Sequence, residues 1–482
     1  MDARDDQDPL GRARYEARAR GRRTWFVKHD TCDGVDPLAL YEVVQSPEGM
    51  PREHPALQAR ALWWAPRGWR IALGVADRRV IAHASPGALE SARRAWAEEF
   101  LDAEDLGGID AMVGVSFAGV QGGEGDELDR LWGSFGGAQI WLPTLSVRQR
   151  EDGRLSTTIL AAVDPRVDPR ALEQRIQRLD EILAAWLDRA RRRAAASSSR
   201  SSGDALHFEE PHVESWQGMV NETVSLIGRD ASLDKVVLAR HVDVTAPAPI
   251  APYRVLRNLR ERYPTCVTFA YSPPGSGHEG AVFCGATPEC LVRLEGARFT
   301  ADGLAGTASH HVPDEVFLAS EKDRVEHAIV VDEIRRDLDE LADTMDVPQA
   351  PVVDRLTNVK HLRTTITGTT SASSVLELAE RLHPTPAVCG RTRERALQEI
   401  ARAEGAMGFA RGWYAGALGW VSLTGDGELD VAIRCAMILG ARARVYVGAG
   451  IVEDSLGALE REETLLKARA LLGALMGEAE GS

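Results

Sequence analysis

Glu460, Glu463 and Lys467 recur at i, i+3 and i+7 near the C-terminus, shortly after the small-residue turn Ala449-Gly450-Ile451-Val452. On a helix these three side chains share one face. Two carboxylates and an ammonium on one face can hold a metal ion and an anion side by side, and a glycine lets a ligand approach the backbone closely. By spacing alone, the same pattern also describes a solvated helix with internal ion pairs. Asp323 and Glu326 repeat the i, i+3 spacing elsewhere in the chain.

These groups need a scaffold, and the hydrophobic pattern outlines one. From Trp25 to about Val163, short apolar runs such as 70–75 and 111–115 alternate with Gly and Pro, as strands and turns do. Leu172, Ile176, Leu179, Leu183 and Leu187 mark an amphipathic helix, and the Ser-rich stretch 197–203 after it reads as a flexible linker. Beyond the linker, strands expected at 236–240, 267–271, 431–439 and 445–448 mix with helices expected at 214–227, 320–342, 375–382, 393–402 and 459–475. The order is not a βαβ alternation, so the pattern predicts an α+β fold on antiparallel sheet. Three regions follow: a solvated lead-in over 1–23, an N-terminal half over 24–205, and a C-terminal half over 206–476 that carries the chemistry.

Composition excludes several classes. The chain has 482 residues, 44% hydrophobic and 27% charged, as soluble globular proteins do. A formal charge of −15 argues against nucleic-acid binding, which needs a basic footprint. The six cysteines form no Cys-x-x-Cys pair, so neither a zinc site nor a disulfide framework is expected. No apolar run approaches membrane-spanning length and the N-terminal residues lack the apolar core of a secretory signal, so a cytoplasmic location is expected.

Nine stretches stand in one order in the second half. They are Asp234-Lys235-Val236-Val237-Leu238-Ala239-Arg240, Gly285-Ala286-Thr287-Pro288-Glu289, Leu304-Ala305-Gly306-Thr307, the acidic helix start 320–327, and Val359-Lys360-His361-Leu362. His383-Pro384-Thr385-Pro386-Ala387, Arg411-Gly412-Trp413-Tyr414-Ala415-Gly416, Ile433-Arg434-Cys435 and the C-terminal stretch complete the series. Together they resemble the chorismate-utilising enzymes, most closely the isochorismate synthases, over about 216–475. The N-terminal half, through 113–117, Trp132, Phe135 and 141–143, resembles the menaquinone-type more than the siderophore-type enzymes.

The resemblance implies a large two-sheet β-sandwich flanked by helices, like anthranilate synthase component I. It also implies Mg²⁺-dependent conversion of chorismate to isochorismate. Lys235 stands where ammonia-using relatives usually carry Gln, which points to water as the nucleophile. No amidotransferase subunit is implied, and a monomer or homodimer is expected.

Moving a hydroxyl from C4 to C2 needs a base for the incoming water and an acid for the departing hydroxyl, roles that fall to Lys235 and Glu289. Burial must then lower the first pKa and raise the second. By residue type alone, the two also read as a strand-end lysine and a turn carboxylate. The resemblance assigns Mg²⁺ to Glu326 and Glu463, with Asp323 and Glu460 nearby. It assigns the enolpyruvyl carboxylate to Arg434 and Tyr414, helped by Gly450 and Lys467, and sets Gly306, Thr307 and His361 beside the ring. Ala387 fits enzymes that stop at isochorismate. The alternatives are a salicylate synthase, which adds pyruvate elimination, and a non-catalytic binding subunit.

Overall fold

The computed structural model of the chain describes residues 10, 13, 16–17, 24–32, 34–45, 57, 59–82, 87–100, 108–117, 126–150, 152–196, 206–272, 280–357 and 359–477. The linker at 197–203 lies outside these residues, as does most of the lead-in. Within the lead-in, however, Leu10, Ala13 and Ala17 are helical and buried. Their i, i+3, i+7 spacing gives an apolar stripe that packs on Phe26, Ala161 and Ile176, so this part is not solvated.

The described residues form twenty strands in one antiparallel hydrogen-bonded network. Strand Ala138–Gln149 joins its two layers. Its first half pairs with Asp110–Val115 and its second half, on the same edge, with Leu155–Val163. From Asp110–Val115 the ladder continues through Ala417–Ser422, Gly427–Val431, Cys290–Glu295 and Arg298–Ala308 to Lys360–Thr370. On the other edge, Gly68–Ala82 leads through Arg60–Ala65, Val267–Ser272, Val282–Thr287 and Cys435–Leu439 to Arg442–Ile451 and Lys235–Thr245.

Alternation along these strands divides the core in two, because successive side chains point to opposite faces. Phe283, Cys435, Met437 and Tyr446 enter a core shared by both halves of the chain, with Trp132, Phe135, Trp141 and Trp413. Val282, Cys284, Ala436, Ile438 and Val445 face the other way, under helices Pro37–Gln45, Pro169–Ala196, Pro252–Arg262 and Gly457–Met476. The five leucine and isoleucine positions of the 169–196 stripe are all buried.

The expected strand 431–439 is instead two strands, Gly427–Val431 and Cys435–Leu439. Between them Arg434 takes φ +51, a left-handed conformation that ends the extended run. Helix Glu321–Asp339 starts where Ser320 accepts from the Asp323 amide and donates its hydroxyl to the Asp323 carboxylate. The Ser320 hydroxyl thus satisfies one otherwise unpaired amide of the first turn.

Candidate active site

One cavity of about 720 Å³, measured with its open mouth, lies at the start of strand Lys235–Thr245. Lys235, Glu289, Gly306, Thr307, His361, Ala387, Tyr414, Arg434, Gly450 and Lys467 all line it. Of the four carboxylates expected to hold metal, Glu326 lines it as well. Val237, Val388, Ala415, Ile433, Tyr446 and Gly448 complete much of the wall and were not anticipated. Two of these had a signal in the sequence: Tyr446, Gly448 and Gly450 stand at i, i+2 and i+4 of one strand, hence on one face.

Lys235 is 1% exposed, and its ammonium donates to Glu326 Oε1 at 2.8 Å. Burial alone would raise the Glu326 carboxyl. The Lys235 charge and hydrogen bond, with Lys467 further off, outweigh it and hold Glu326 below its usual range. Gly450 makes the contact possible: a Cβ there would stand 2.7 Å from Lys235 Cε and 3.0 Å from Glu326 Oε1. Gly390, paired with Val236, lets the 387–391 segment lie against the same strand, which brings Ala387 to the cavity.

Glu289 sits in the turn between strands Val282–Thr287 and Cys290–Glu295. Thr287 Oγ1 donates to the Val431 carbonyl at 2.6 Å, and the Val431 amide donates to the Glu289 carbonyl at 3.0 Å, so the turn is docked on a strand end. The side chain is 2% exposed and its Oε1 has no hydrogen-bond partner. Burial, reinforced by the Asp302 charge, pushes the carboxyl up to about 8 despite Arg363 and Lys235. At neutral pH Glu289 is a neutral acid facing the cavity.

Arg434, buried on the left-handed corner, donates to His361 Nε2 at 2.9 Å. An arginine has no acceptor, so Nε2 carries the lone pair and Nδ1 the proton, donated to the Gly306 carbonyl at 2.9 Å. Burial and the Arg434 charge hold His361 well below its usual pKa, so it stays neutral. Ala415, at φ +62, is a second left-handed residue on the wall. Such backbone is strained by about 1–3 kcal/mol per residue and survives only where the surroundings enforce it. Here the Ala415 amide donates to Ala432 and the Ala432 amide to Gly416, lacing the two corners together. Tyr414 stacks on Tyr446 at 5.6 Å, beside Arg434.

The four acidic groups divide into two kinds. Glu326 and Glu463 are neutralised by lysines, the latter by Lys467 at 2.7 Å. Asp323 and Glu460 are held by the hydroxyls of Ser320 and Ser455. Burial raises both, and the adjacent charges of Glu326 and Glu463 raise them further. Lys322 acts on Glu460 and Lys467 on Glu326, so the charged groups of the two helices lie within electrostatic reach of one another. All-oxygen donors with surplus negative charge fit a hard dication such as Mg²⁺. The four are not drawn tightly together, however. Among the described residues, the three potential ligands found within 4.8 Å of one another are Cys290, Glu428 and Asp430, outside this set.

The chain belongs to the chorismate binding enzyme family, whose model matches residues 12–476. Its relatives are more particular. It is 36% identical over 294 residues to the salicylate biosynthesis isochorismate synthase of Pseudomonas aeruginosa, which is 59% of each chain. It is 36% identical over 278 residues to isochorismate synthase MenF of Bacillus subtilis, 56% of this chain and 57% of that one. The matches thus span under three-fifths of these relatives' length. The menaquinone-specific isochorismate synthase MenF of Escherichia coli superposes with a TM-score of 0.72 over 97% of this chain and 100% of its own, at 24% identity. This likeness establishes the α+β fold of chorismate-utilising enzymes. Among the described residues, no helix is long and apolar enough to cross a membrane.

Proposed function

We propose that this chain is an isochorismate synthase, adding water to C2 of chorismate with loss of the C4 hydroxyl. The observation that supports this best is a lysine and a neutral glutamic acid on the walls of one cavity. Lys235, once its ammonium has released a proton, takes the proton of the incoming water as the neutral amine, and Glu289 protonates the departing hydroxyl. The atoms balance as an isomerisation, because one water enters and one leaves.

Arg434 and Tyr414 bind the enolpyruvyl carboxylate, a planar fork and a phenol being suited to it. Lys467, whose ammonium donates to the Gly448 carbonyl at 3.0 Å, adds positive charge on that side. His361, fixed as the Nδ1–H form, orients Arg434, and Gly306 and Thr307 flank the ring. Glu326 and Glu463 would hold Mg²⁺ with Asp323 and Glu460 around it, and when bound the ion supplies positive charge for the ring carboxylate. Both sequence relatives bear the name isochorismate synthase, and the likeness to the menaquinone-specific structure over 97% of the chain supports a menaquinone-type enzyme.

Incubating the purified protein with chorismate and Mg²⁺ and separating the products by chromatography tests this reading. Isochorismate is expected as the main initial product. Initial formation of salicylate and pyruvate in its place, or binding of chorismate without turnover, would each overturn it.

A further inference from the structure

We propose that Asp302 and Arg363 are positioning residues for Glu289, gripping the turn on both sides of the acid through a single ion pair. This rests on Glu289 being the general acid. Arg363, on strand Lys360–Thr370, donates to the Pro288 carbonyl at 2.8 Å, on the N-terminal side of Glu289. It also donates to Asp302 Oδ2 at 2.5 Å and to Asp354 Oδ2 at 2.6 Å. Asp302, on the paired strand Arg298–Ala308, accepts from the Cys290 amide on the C-terminal side of Glu289, and from Thr365 Oγ1 at 2.7 Å. The peptide groups flanking Glu289 are therefore tied to one guanidinium and one carboxylate.

Neither residue is among those lining the cavity, so their action on the reaction runs through Glu289. The planar fork of Arg363 reaches three acceptors at once, which a lysine cannot do. Glu289 itself makes no hydrogen bond at Oε1, so its direction is set by its backbone and packing. Holding a reacting group within a fraction of an ångström is worth large factors in rate.

The same pair sets the charge around the acid. Glu289 faces Lys235 from strand Lys235–Thr245, Asp302 from Arg298–Ala308 and Arg363 from Lys360–Thr370. Asp354, on Val352–Arg355, shares Arg363, and His361 on the same strand as Arg363 is neutral. Glu428 and Asp430, on Gly427–Val431, lie close enough to feel Asp302. Asp302 repels the Glu289 anion and also compensates Arg363, which would otherwise attract it. Asp302→Asn removes both effects, and each moves Glu289 toward a stronger acid.

The experiment reads Glu289 directly, as the protonated-carboxyl infrared band present in the parent and lost in Glu289→Gln. In the parent the band should disappear with a midpoint near 8. In Asp302→Asn the midpoint should fall by about one pH unit, the usual effect of one nearby charge. The alkaline limb of kcat for chorismate should move the same way, with KM little changed. Arg363→Lys, folded as judged by thermal unfolding, should lose about tenfold in kcat because the turn is gripped on one side only. An unshifted infrared midpoint in Asp302→Asn, or parent-like kcat in Arg363→Lys, would overturn the proposal. Undiminished turnover by Glu289→Gln would instead remove the general-acid assignment, and the infrared midpoint would then decide the role of Asp302 alone.

Discussion

At the scale of single residues, the proposed function turns on two protons. Lys235 is buried on the cavity wall with one charged partner, Glu326. Lys235→Ala is expected to lose about 100-fold or more in turnover, the loss typical of a missing general base, with folding intact. Initial rates of isochorismate formation check this, and a near-parent rate would make the lysine structural. As the proposed general acid, Glu289 would set the alkaline limit. Its acid form is present below about 8 and declines above it, so kcat should fall on that side. The linkage to stability has the same sign. The folded carboxyl sits above its unfolded value of 4.5, so its contribution is full below 4.5 and is lost as pH rises through about 8. Thermal unfolding across this window should show the parent losing stability relative to Glu289→Gln as pH rises; parallel curves would contradict it.

Secondary-structure elements decide what these residues can reach. Helices Glu321–Asp339 and Gly457–Met476 carry their acidic groups within electrostatic reach of one another, with two lysines occupying Glu326 and Glu463. If the ion is held there, Glu463→Gln should weaken both Mg²⁺ and chorismate binding in calorimetric titrations, since the substrate carboxylate completes the coordination. Unchanged Mg²⁺ affinity would count against the assignment. The 387–391 segment lies along the strand that carries Lys235, so Ala387 shapes the cavity beside the base. A hydroxyl placed there alters local polarity where elimination of pyruvate competes with product release. Ala387→Thr is expected to form salicylate from chorismate at an initial rate above the parent's, both corrected for spontaneous decay of isochorismate. Equal corrected rates would take Ala387 out of the specificity argument.

For the molecule as a whole, the two halves of the chain are one packing unit. Trp413 is fully buried, 5.1 Å from Phe135 and 4.7 Å from Tyr271, and its indole donates to the Gly136 carbonyl. A Cβ on Gly114 would overlap its ring at 1.9 Å, so the glycine is what admits the indole between the layers. Trp413→Ala should therefore cost about 3–5 kcal/mol, as large aromatic truncations in cores do. Urea unfolding should report the loss in a single transition, because the shared core leaves neither half its own. Two separate transitions, or a loss below about 1 kcal/mol, would show the halves to be independent.

What the sequence determined by itself was local and periodic. The leucine stripe of 169–196, the strand alternations and helix 375–382 follow from spacings of 3.6 and 2, which depend on neighbours alone. The candidate site residues came largely from the family resemblance, and the structure gathers Lys235, Glu289, His361, Arg434 and Lys467 on one cavity wall. Tertiary structure decided the rest. The contact between Lys235 and Glu326 spans 91 residues, and the grip of Arg363 on Pro288 spans 75. No periodicity encodes such pairs. Across Arg434 the apolar neighbours satisfy the pattern of a continuous strand; only the hydrogen bonds of Ala286 and Ala415 to the corner show what bends it. The packed turn at Leu10, Ala13 and Ala17 was hidden for the converse reason: dense charge masks a short apolar stripe until a partner surface exists to bury it.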